Sequence, residues 1–467
     1  MPELEHVPSL AAPEGARPRR SLILAGGGMR VAYQAGVLRA FEEEGLTFFH
    51  ADGTSGGTIN LAMLLSGHSP AEMCERWRTL NVREFVSLLP LRKYLRGLNW
   101  PAFGGASGIT QRVYPHLGID VDKIKAARGI EGTFNVCNYS DKTNRAVSHR
   151  EIDQELLVAG VSLPMMMPPV RRDGALYVDS VWIKDANPSE AVRRGCEEIW
   201  LVWCIGNTGV YRDGAFNQYV HMIELSANGG LFEELEHLRV EAGSEPPRLH
   251  VIKPEYPLPL DPDFYLGRIS AAALLATGYR DAKKYLASRS EEGVPYDSTA
   301  TRMRDPLPGA SFADRLTGSA VIDGTPGALA VEVRVDIRDF ERFSTGPDRT
   351  GDLVGIVDAD ALGDSLPAKA GSFRLADGHL QYELTLDHRG RELSLIVRVP
   401  TRPWRRADVT LYDGPAAGGS IAGTGELRSG LFHEIRLLRS LQATGTDSIR
   451  ERAEIVARTA RILVRGR

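Results

Sequence analysis

The sequence predicts two architectures in one chain: an α/β domain on a mainly parallel sheet, then an all-β domain followed by a terminal helix. Three observations predict it. Short, continuously apolar runs alternate with helical patterns up to about residue 290, as buried parallel strands and their crossover helices do. From about Ser311 to Glu426 short alternating segments replace them, separated by Gly, Asp and Pro turns, the pattern of a sandwich or barrel. The end of the chain opens a helix with Ser448-Ile449-Arg450-Glu451, a capping box.

The domain division follows from texture. Residues 1–19 read as a disordered tail, 20–290 as the α/β domain, 291–310 as a polar, proline-containing linker, 311–427 as the all-β domain and 428–467 as a helical tail. A chain of 467 residues exceeds one ordinary domain. Hydrophobic content of 43% and charged content of 25% suit a soluble globular protein. A net charge of −4 argues against a general nucleic-acid binder. The four cysteines lie in apolar contexts without metal-like spacing, which reads as buried reduced thiols of a cytoplasmic protein. No basic start leads into an apolar run, so no signal peptide is expected. No apolar run reaches the about 18 residues of a membrane span. A lipid substrate would have to be met at a surface.

The elements follow in order. Ser21-Leu22-Ile23-Leu24-Ala25 is a buried strand that enters Gly26-Gly27-Gly28. A helix follows with Val37, Leu38 and Phe41 on one face, closed by Gly45. Phe48–Asp52 is a second strand, and Ile59–Leu65 a second helix that Gly67 ends. Residues 70–80 are helical through Met73, Trp77 and Leu80; residues 84–118 show no clear period. Strands are expected at Thr133–Asn138, Arg145–Ser148, Ala175–Asp179, Glu198–Cys204 and Leu249–Ile252, and helices at Leu156–Val161, Pro188–Arg194 and 268–287. Three prolines break Leu163–Val170. In the all-β part, residues 330–335, 380–386, 393–399 and 409–412 alternate. The tail helix carries Ala453, Val456, Ala460 and Leu463 as a stripe among arginines. Such a stripe docks on its own protein or lies on an anionic membrane.

Chemistry gathers at Gly53-Thr54-Ser55-Gly56-Gly57. Gly-x-Ser-x-Gly between strand and helix is the context of a nucleophile elbow, with Gly53 and Gly57 permitting the tight turn. A serine needs a base, and acyl transfer needs donors for the developing oxyanion. The glycine triplet can supply backbone donors; it can equally be a phosphate-binding turn or a plain strand–helix turn. His116, His149, His221 and His250 stand in no distinctive motif. Asp179, at a strand end, becomes a competent base if partly desolvated, and is otherwise an ordinary turn aspartate.

Taken together, Gly26-Gly27-Gly28 with Arg30 and Gly36-Val37-Leu38, the Ser55 turn, Pro168-Pro169-Val170 and Tyr177-Val178-Asp179 resemble the patatin-like phospholipase family over about residues 20–290. The resemblance implies a patatin-like three-layer domain and a Ser–Asp dyad. It assigns the nucleophile to Ser55 and the base to Asp179. It assigns the oxyanion hole to the backbone of Gly27 and Gly28, with Gly26 shaping the turn and Arg30 in support. The implied activity is hydrolysis of acyl esters of lipids through an acyl-enzyme. The implied partner is a lipid or acyl-ester substrate, with a peripheral membrane contact. No metal and no cofactor are implied. Two positions depart from the family, Val31 and Ser180, where it has glycine. Alternatives are therefore a catalytically impaired lipid-binding protein of this fold, or an acyltransferase.

The β part, through Asp314-Arg315-Leu316-Thr317-Gly318, Asp339-Phe340, Gly371-Ser372-Phe373, Trp404 and Thr410-Leu411-Tyr412, is similar to an accessory module beside cholesterol-oxidising flavoenzymes. No flavin fingerprint accompanies it, so no oxidoreductase activity is expected.

Overall fold

The computed structural model describes residues 5–81, 84–85, 102–241, 245–259, 269–347, 349–401, 406–428 and 431–465. The chain divides into two units: Met1–Tyr265 with Tyr285–Arg304, and Leu266–Lys284 with Asp305–Arg467. A single boundary near 290 is replaced by several crossings.

Among the described residues the first unit is built on eight strands: β1 (Arg20–Leu24), β2 (His50–Thr54), β3 (Glu131–Asn138), β4 (Thr143–Ser148), β5 (Val170–Arg172), β6 (Ala175–Asp179), β7 (Glu198–Val202) and β8 (Arg248–Ile252). Their order is β5-β6-β3-β2-β1-β7-β8, with β4 on β3. The run β3-β2-β1-β7-β8 is parallel. Helices α1 (Ala32–Glu43), α2 (Gly56–Leu65) and α3 (Pro70–Thr79) follow β1 and β2; α4 (Gln154–Gly160), α5 (Pro188–Arg193) and α6 (Ala215–Glu241) come later. The period of two along β1 explains the layers. Ile23, with Ile199 and Leu201, shares a core with Ala191 of α5 and Leu231, Leu235 and Leu238 of α6. Trp200 points the other way, edge-on to Phe41 of α1 at 5.4 Å. Both faces are thus covered, which is why β1 and β7 read as unbroken apolar runs.

Three features differ from expectation. β2 begins two residues later than Phe48. The Phe48 amide donates to Leu10 O and its carbonyl accepts from Ala12 N, so the amino-terminal stretch takes this position. That stretch is packed, with Leu10 1% exposed, rather than a disordered tail. The expected linker also packs on the first unit. Val294 N donates to Leu249 O at 2.7 Å, and Tyr296, Ala300, Thr301 and Met303 are buried. Helix α6, 27 residues long, has no counterpart in the sequence reading. Among its apolar side chains only Ala227, Leu231, Leu235 and Leu238 are buried, so its period is thin.

Among the described residues of the second unit ten strands run antiparallel: β9 (Gly309–Ile322), β10 (Thr325–Ile337), β11 (Arg349–Ala359), β12 (Asp364–Pro367), β13 (Ala370–Ala376), β14 (His379–His388), β15 (Arg391–Pro400), β16 (Ala407–Asp413), β17 (Ser420–Leu427) and β18 (Gln442–Thr444). β9 pairs β10 on one edge, and β17 and β18 on the other. The meander thereby closes into a barrel, which removes its free edges. Leu380, Tyr382, Leu384 and Leu386 of β14 face inward with Leu393, Leu395, Val397 and Val399 of β15. Helices α7 (Ala271–Ser288, the second unit's part ending at Lys284), α8 (Phe340–Thr345), α9 (Leu431–Ser440) and α10 (Ile449–Arg465) accompany the barrel. Trp404 lies outside the described residues.

The tail helix α10 docks on this unit. Ile455, Thr459, Ile462 and Leu463 are buried, and Val456 and Ala460 pack against the same core. Ala453, expected in the stripe, is exposed; the true face is rotated towards Ile455 and Ile462. Arg458 stands over the Phe340 ring at 5.0 Å and donates to Ser344 Oγ at 3.1 Å. Among the described residues, no helix is long and apolar enough to cross a membrane.

Candidate active site

β3 brings the two candidate groups together. β4 covers one edge of β3 along Thr133–Asn138. β2 and β6 therefore share the other edge. β2 arrives parallel and ends with Thr54 opposite Asn135; β6 arrives antiparallel and ends with Asp179 opposite Val136. Two strand ends abut on adjacent residues of a third. The residue after Thr54 is Ser55, and its Oγ donates to Asp179 Oδ2 at 2.6 Å.

Ser55 has φ 52 and ψ −127, a backbone conformation a non-glycine residue holds only when its surroundings impose it. The imposition is close packing. A methyl on Gly57 would lie 2.1 Å from Leu24 O, and one on Gly53 3.0 Å from Gly57 O. Helix α2 can press so near β1 at Gly57, and near β2 at Gly53, because both positions lack a side chain. α2 is buried on all sides, consistent with its largely apolar sequence; its side-chain amide, Asn60, donates to Val31 O at 2.8 Å and accepts from Trp77 Nε1 at 2.8 Å.

Asp179 is 1% exposed. Burial pushes its carboxyl up to about 7, against the hydrogen bond from Ser55 and the amides of Val181 and Ser180. Val181 N reaches Oδ1 at 2.9 Å. The Ser180 hydroxyl turns away and donates to Asn144 Oδ1 at 2.6 Å, so it does not lower Asp179 by direct contact.

The glycine triplet stands beside this pair. Gly26 approaches Ser55 so closely that a methyl on it would lie 2.9 Å from Ser55 Cβ. The amides of Gly27 and Gly28 make no hydrogen bond to a described residue. Arg30 is buried, and its Nε donates to Gly27 O at 2.9 Å. The peptide unit is planar, with C=O and N–H opposed. Pinning Gly27 O therefore sets the direction of Gly28 N–H. Val31 seats its side chain against Gly56, where a methyl would meet Val31 Cγ1 at 2.7 Å; the bulk is accommodated by the elbow's own glycine.

Sequence reasoning missed a buried polar chain beneath the turn. Ser21 Oγ donates to His50 Nδ1 at 2.6 Å, and His50 Nε2 to Thr133 Oγ1 at 2.9 Å. Thr133 and Asn135 both donate to Asp52. Asn144 and Asn187 each donate to Asn135 Oδ1 at 2.8 Å. Burial pushes Asp52 up to about 7 and His50 down to about 3. Ser21, His50, Asp52, Thr133 and Asn135 sit on strands that the sequence shows, Asn144 at the start of β4 and Asn187 just before α5, but only the tertiary structure reveals that they face one another. Asp185 was missed too. It is 2% exposed, and neither carboxyl oxygen has a hydrogen-bond partner of normal geometry among the described residues.

The histidines are engaged elsewhere. His149 accepts from Gly132 N, His116 contacts Arg76 O, His221 accepts from Arg212 N, and His250 stacks on Trp200 at 4.3 Å. All four cysteines are buried and unpaired. Among the described residues no three His, Cys, Asp or Glu side chains converge as metal ligands do.

Residues 22–192 match the family described as Patatin-like phospholipase. Over 195 residues the chain is 25% identical to the lysophospholipase NTE1 of Saccharomyces cerevisiae, covering 39% of this chain and 10% of that protein. Over 187 residues it is 25% identical to the lysophospholipase NTE1 of Kluyveromyces lactis, covering 39% of this chain and 12% of that protein. The chain thus spans about a tenth of the curated relatives it matches. Among solved structures, VipD from Legionella pneumophila aligns with a TM-score of 0.34 at 12% identity, over 59% of this chain and 67% of that one.

Proposed function

From the premise that residues 22–192 form a domain of the patatin-like phospholipase family, we propose that the chain hydrolyses acyl esters of lipids, with Ser55 as nucleophile and Asp179 as base. One observation carries the reading: Ser55 Oγ lies 2.6 Å from Asp179 Oδ2 at a strained turn beside two backbone amides that bond to no described residue. Ser55 Oγ attacks the ester carbonyl carbon while its proton passes to Asp179 Oδ2. The carbonyl oxygen becomes an oxyanion, held by the amides of Gly27 and Gly28. The C–O bond to the alcohol breaks, and Asp179 returns the proton to the departing oxygen. Water then gives a proton to Asp179 and attacks the acyl carbon; the bond from that carbon to Ser55 Oγ breaks, and Asp179 returns the proton to Ser55 Oγ as the acid departs. A carboxyl raised to about 7 can take and return this proton near neutral pH.

A lipid substrate is supported by the family, patatin-like phospholipases, and by both relatives, which are lysophospholipases. Exposed Met165, Phe216, Met222 and Leu225 on the first unit offer apolar side chains to a lipid surface. The test is a panel of lysophospholipids, phospholipids and soluble acyl esters, with Ser55→Ala and Asp179→Asn alongside. Product formation by the wild type that Ser55→Ala abolishes supports the reading. A wild type no faster than Ser55→Ala, and unlabelled by a fluorophosphonate, refutes it. Transfer of the acyl group to added glycerol in preference to water would make the protein an acyltransferase instead.

A further inference from the structure

Asp185 stands between β6 and α5 with no part in the Ser55–Asp179 pair. Its Oδ1 lies 2.2 Å from the place a Cβ on Gly26 would take, and Ser55 Cβ lies 2.9 Å from that same place. The carboxyl therefore fills the space that glycine leaves beside the nucleophile. It is 2% exposed, and among the described residues neither oxygen has a hydrogen-bond partner of normal geometry.

The groups that face it are few. Asp179 comes from β6, Arg30 and the Gly26 amide from the turn after β1, and Cys204 from the chain after β7. The Cys204 thiol is pushed up to about 12 by burial, so it carries no charge. The Arg30 guanidinium is committed to Gly27 O. Two carboxyls in one buried site do not both ionise readily. Asp179 receives hydrogen bonds from Ser55 and Val181, which favour its charged form, and Asp185 receives none of normal geometry. The proton of the pair therefore rests on Asp185. Burial and the charge of Asp179 push it up to about 8, against weaker pulls from the Gly26 amide and Arg30.

A buried acid with a proton and no acceptor is a donor whose acceptor is missing from the resting site. Apolar surroundings can keep a carboxylic acid neutral so that it donates to an oxyanion. We propose that Asp185 is a catalytic residue, a neutral acid whose O–H donates a hydrogen bond to the ester oxygen that becomes negative when Ser55 attacks. Its proton stays on Asp185 throughout, so the transfer between Ser55 and Asp179 balances unchanged. The proposal rests on Ser55 being the nucleophile. Ionised, Asp185 would repel the oxyanion, and activity would fall on the alkaline side.

The experiment compares wild type, Asp185→Asn and Asp185→Ala. For each, kcat/KM for a soluble p-nitrophenyl ester is followed from about pH 5 to 10, beside fluorophosphonate labelling of Ser55 and a thermal melt. Wild type is expected to lose activity above about pH 8, with Asp185 its source. Asp185→Asn keeps a donor that cannot ionise, so this alkaline limb vanishes. Asp185→Ala loses about 10²-fold or more at neutral pH, as removal of an oxyanion donor does. An Asp185→Asn limb identical to wild type, or an Asp185→Ala enzyme as fast as wild type, overturns the proposal. If Asp185→Ala does not fold, the Asp185→Asn limb decides alone. A wild type that neither labels nor turns over fails the Ser55 reading, and this proposal with it. A wild type that labels while the Asp185→Asn limb stays put fails the proposal only.

Discussion

Ser55 donates to Asp179 across 124 residues of sequence because adjacent residues of β3, Asn135 and Val136, hold the ends of β2 and β6. The separation of the two groups is set by a hydrogen-bonded register, not by a flexible loop. A site on rigid elements keeps its geometry to fractions of an ångström.

That geometry makes the acid side of the pH profile a test of Asp179. The base works only when deprotonated, so kcat/KM should rise with pH through about 7, where burial places its carboxyl. An acid limb in the ordinary carboxylate range, near 4, would mean that Asp179 is not the base. Asp179→Asn should lower kcat by about 10²- to 10⁴-fold, the contribution of a positioned general base.

Arg30 should act on rate more than on binding. Its Nε holds Gly27 O at 2.9 Å and so aims the next amide. Arg30→Ala should cost about 10²-fold in kcat, the usual price of a misplaced group, with KM little changed. Steady-state kinetics beside a melting curve separate this from unfolding. A mutant with normal kcat would show that the turn holds its shape unaided.

Two glycines should respond in opposite directions to alanine. Gly57→Ala would place a methyl 2.1 Å from backbone at Leu24, which cannot rotate away. A loss of about 3 kcal/mol or more is expected. Gly229, inside α6, has nothing within 4 Å of an added methyl, and Gly229→Ala should gain up to about 1 kcal/mol. Urea denaturation of both variants measures the difference.

The tail helix gives a similar contrast. Ile455 is 3% exposed and Ala453 is exposed. Ile455→Glu buries a charge and should destabilise the second unit by several kcal/mol, while Ala453→Glu should leave its melting temperature within about 2 °C. Equal tolerance of both would mean that the helix does not stay docked.

Stability should fall as pH rises from about 6.5 to 8. Asp52, Asp179 and Asp185 are raised from 3.8 to about 7, 7 and 8. Folded, they keep protons that the unfolded chain has already lost, so their contribution is full below 3.8 and is lost as pH climbs through the folded values. Buried neutral histidines have the opposite sign. His50 is lowered to about 3 and His250 to about 4, but they act only below the ordinary 6.5. The carboxyls therefore own the upper window. Melting temperatures across it should decline, and Asp185→Asn should flatten the decline. A rise in wild-type stability over this range would contradict the burial of these groups.

Local pattern alone marked most of the strands around the site, β2 two residues early and β5 not at all, together with the tight turn at Gly53–Gly57, the glycine turn at 26–28 and the passage to an alternating β domain. Each depends on residues within a few positions of one another, where period and steric demand are written directly. What lay beyond it were relations between distant segments. That β2 and β6 end on neighbouring residues of β3, that Ser180 turns to Asn144, that Asp185 fills the space beside Gly26, and that β9 closes the barrel are matters of register and packing. So is the face by which α10 docks, since Ala453 and Ile455 both suit an apolar stripe until a partner surface selects one. Burial was likewise out of reach. An aspartate in a sequence has an ordinary carboxyl, and only the surrounding fold removes the water that would keep it so.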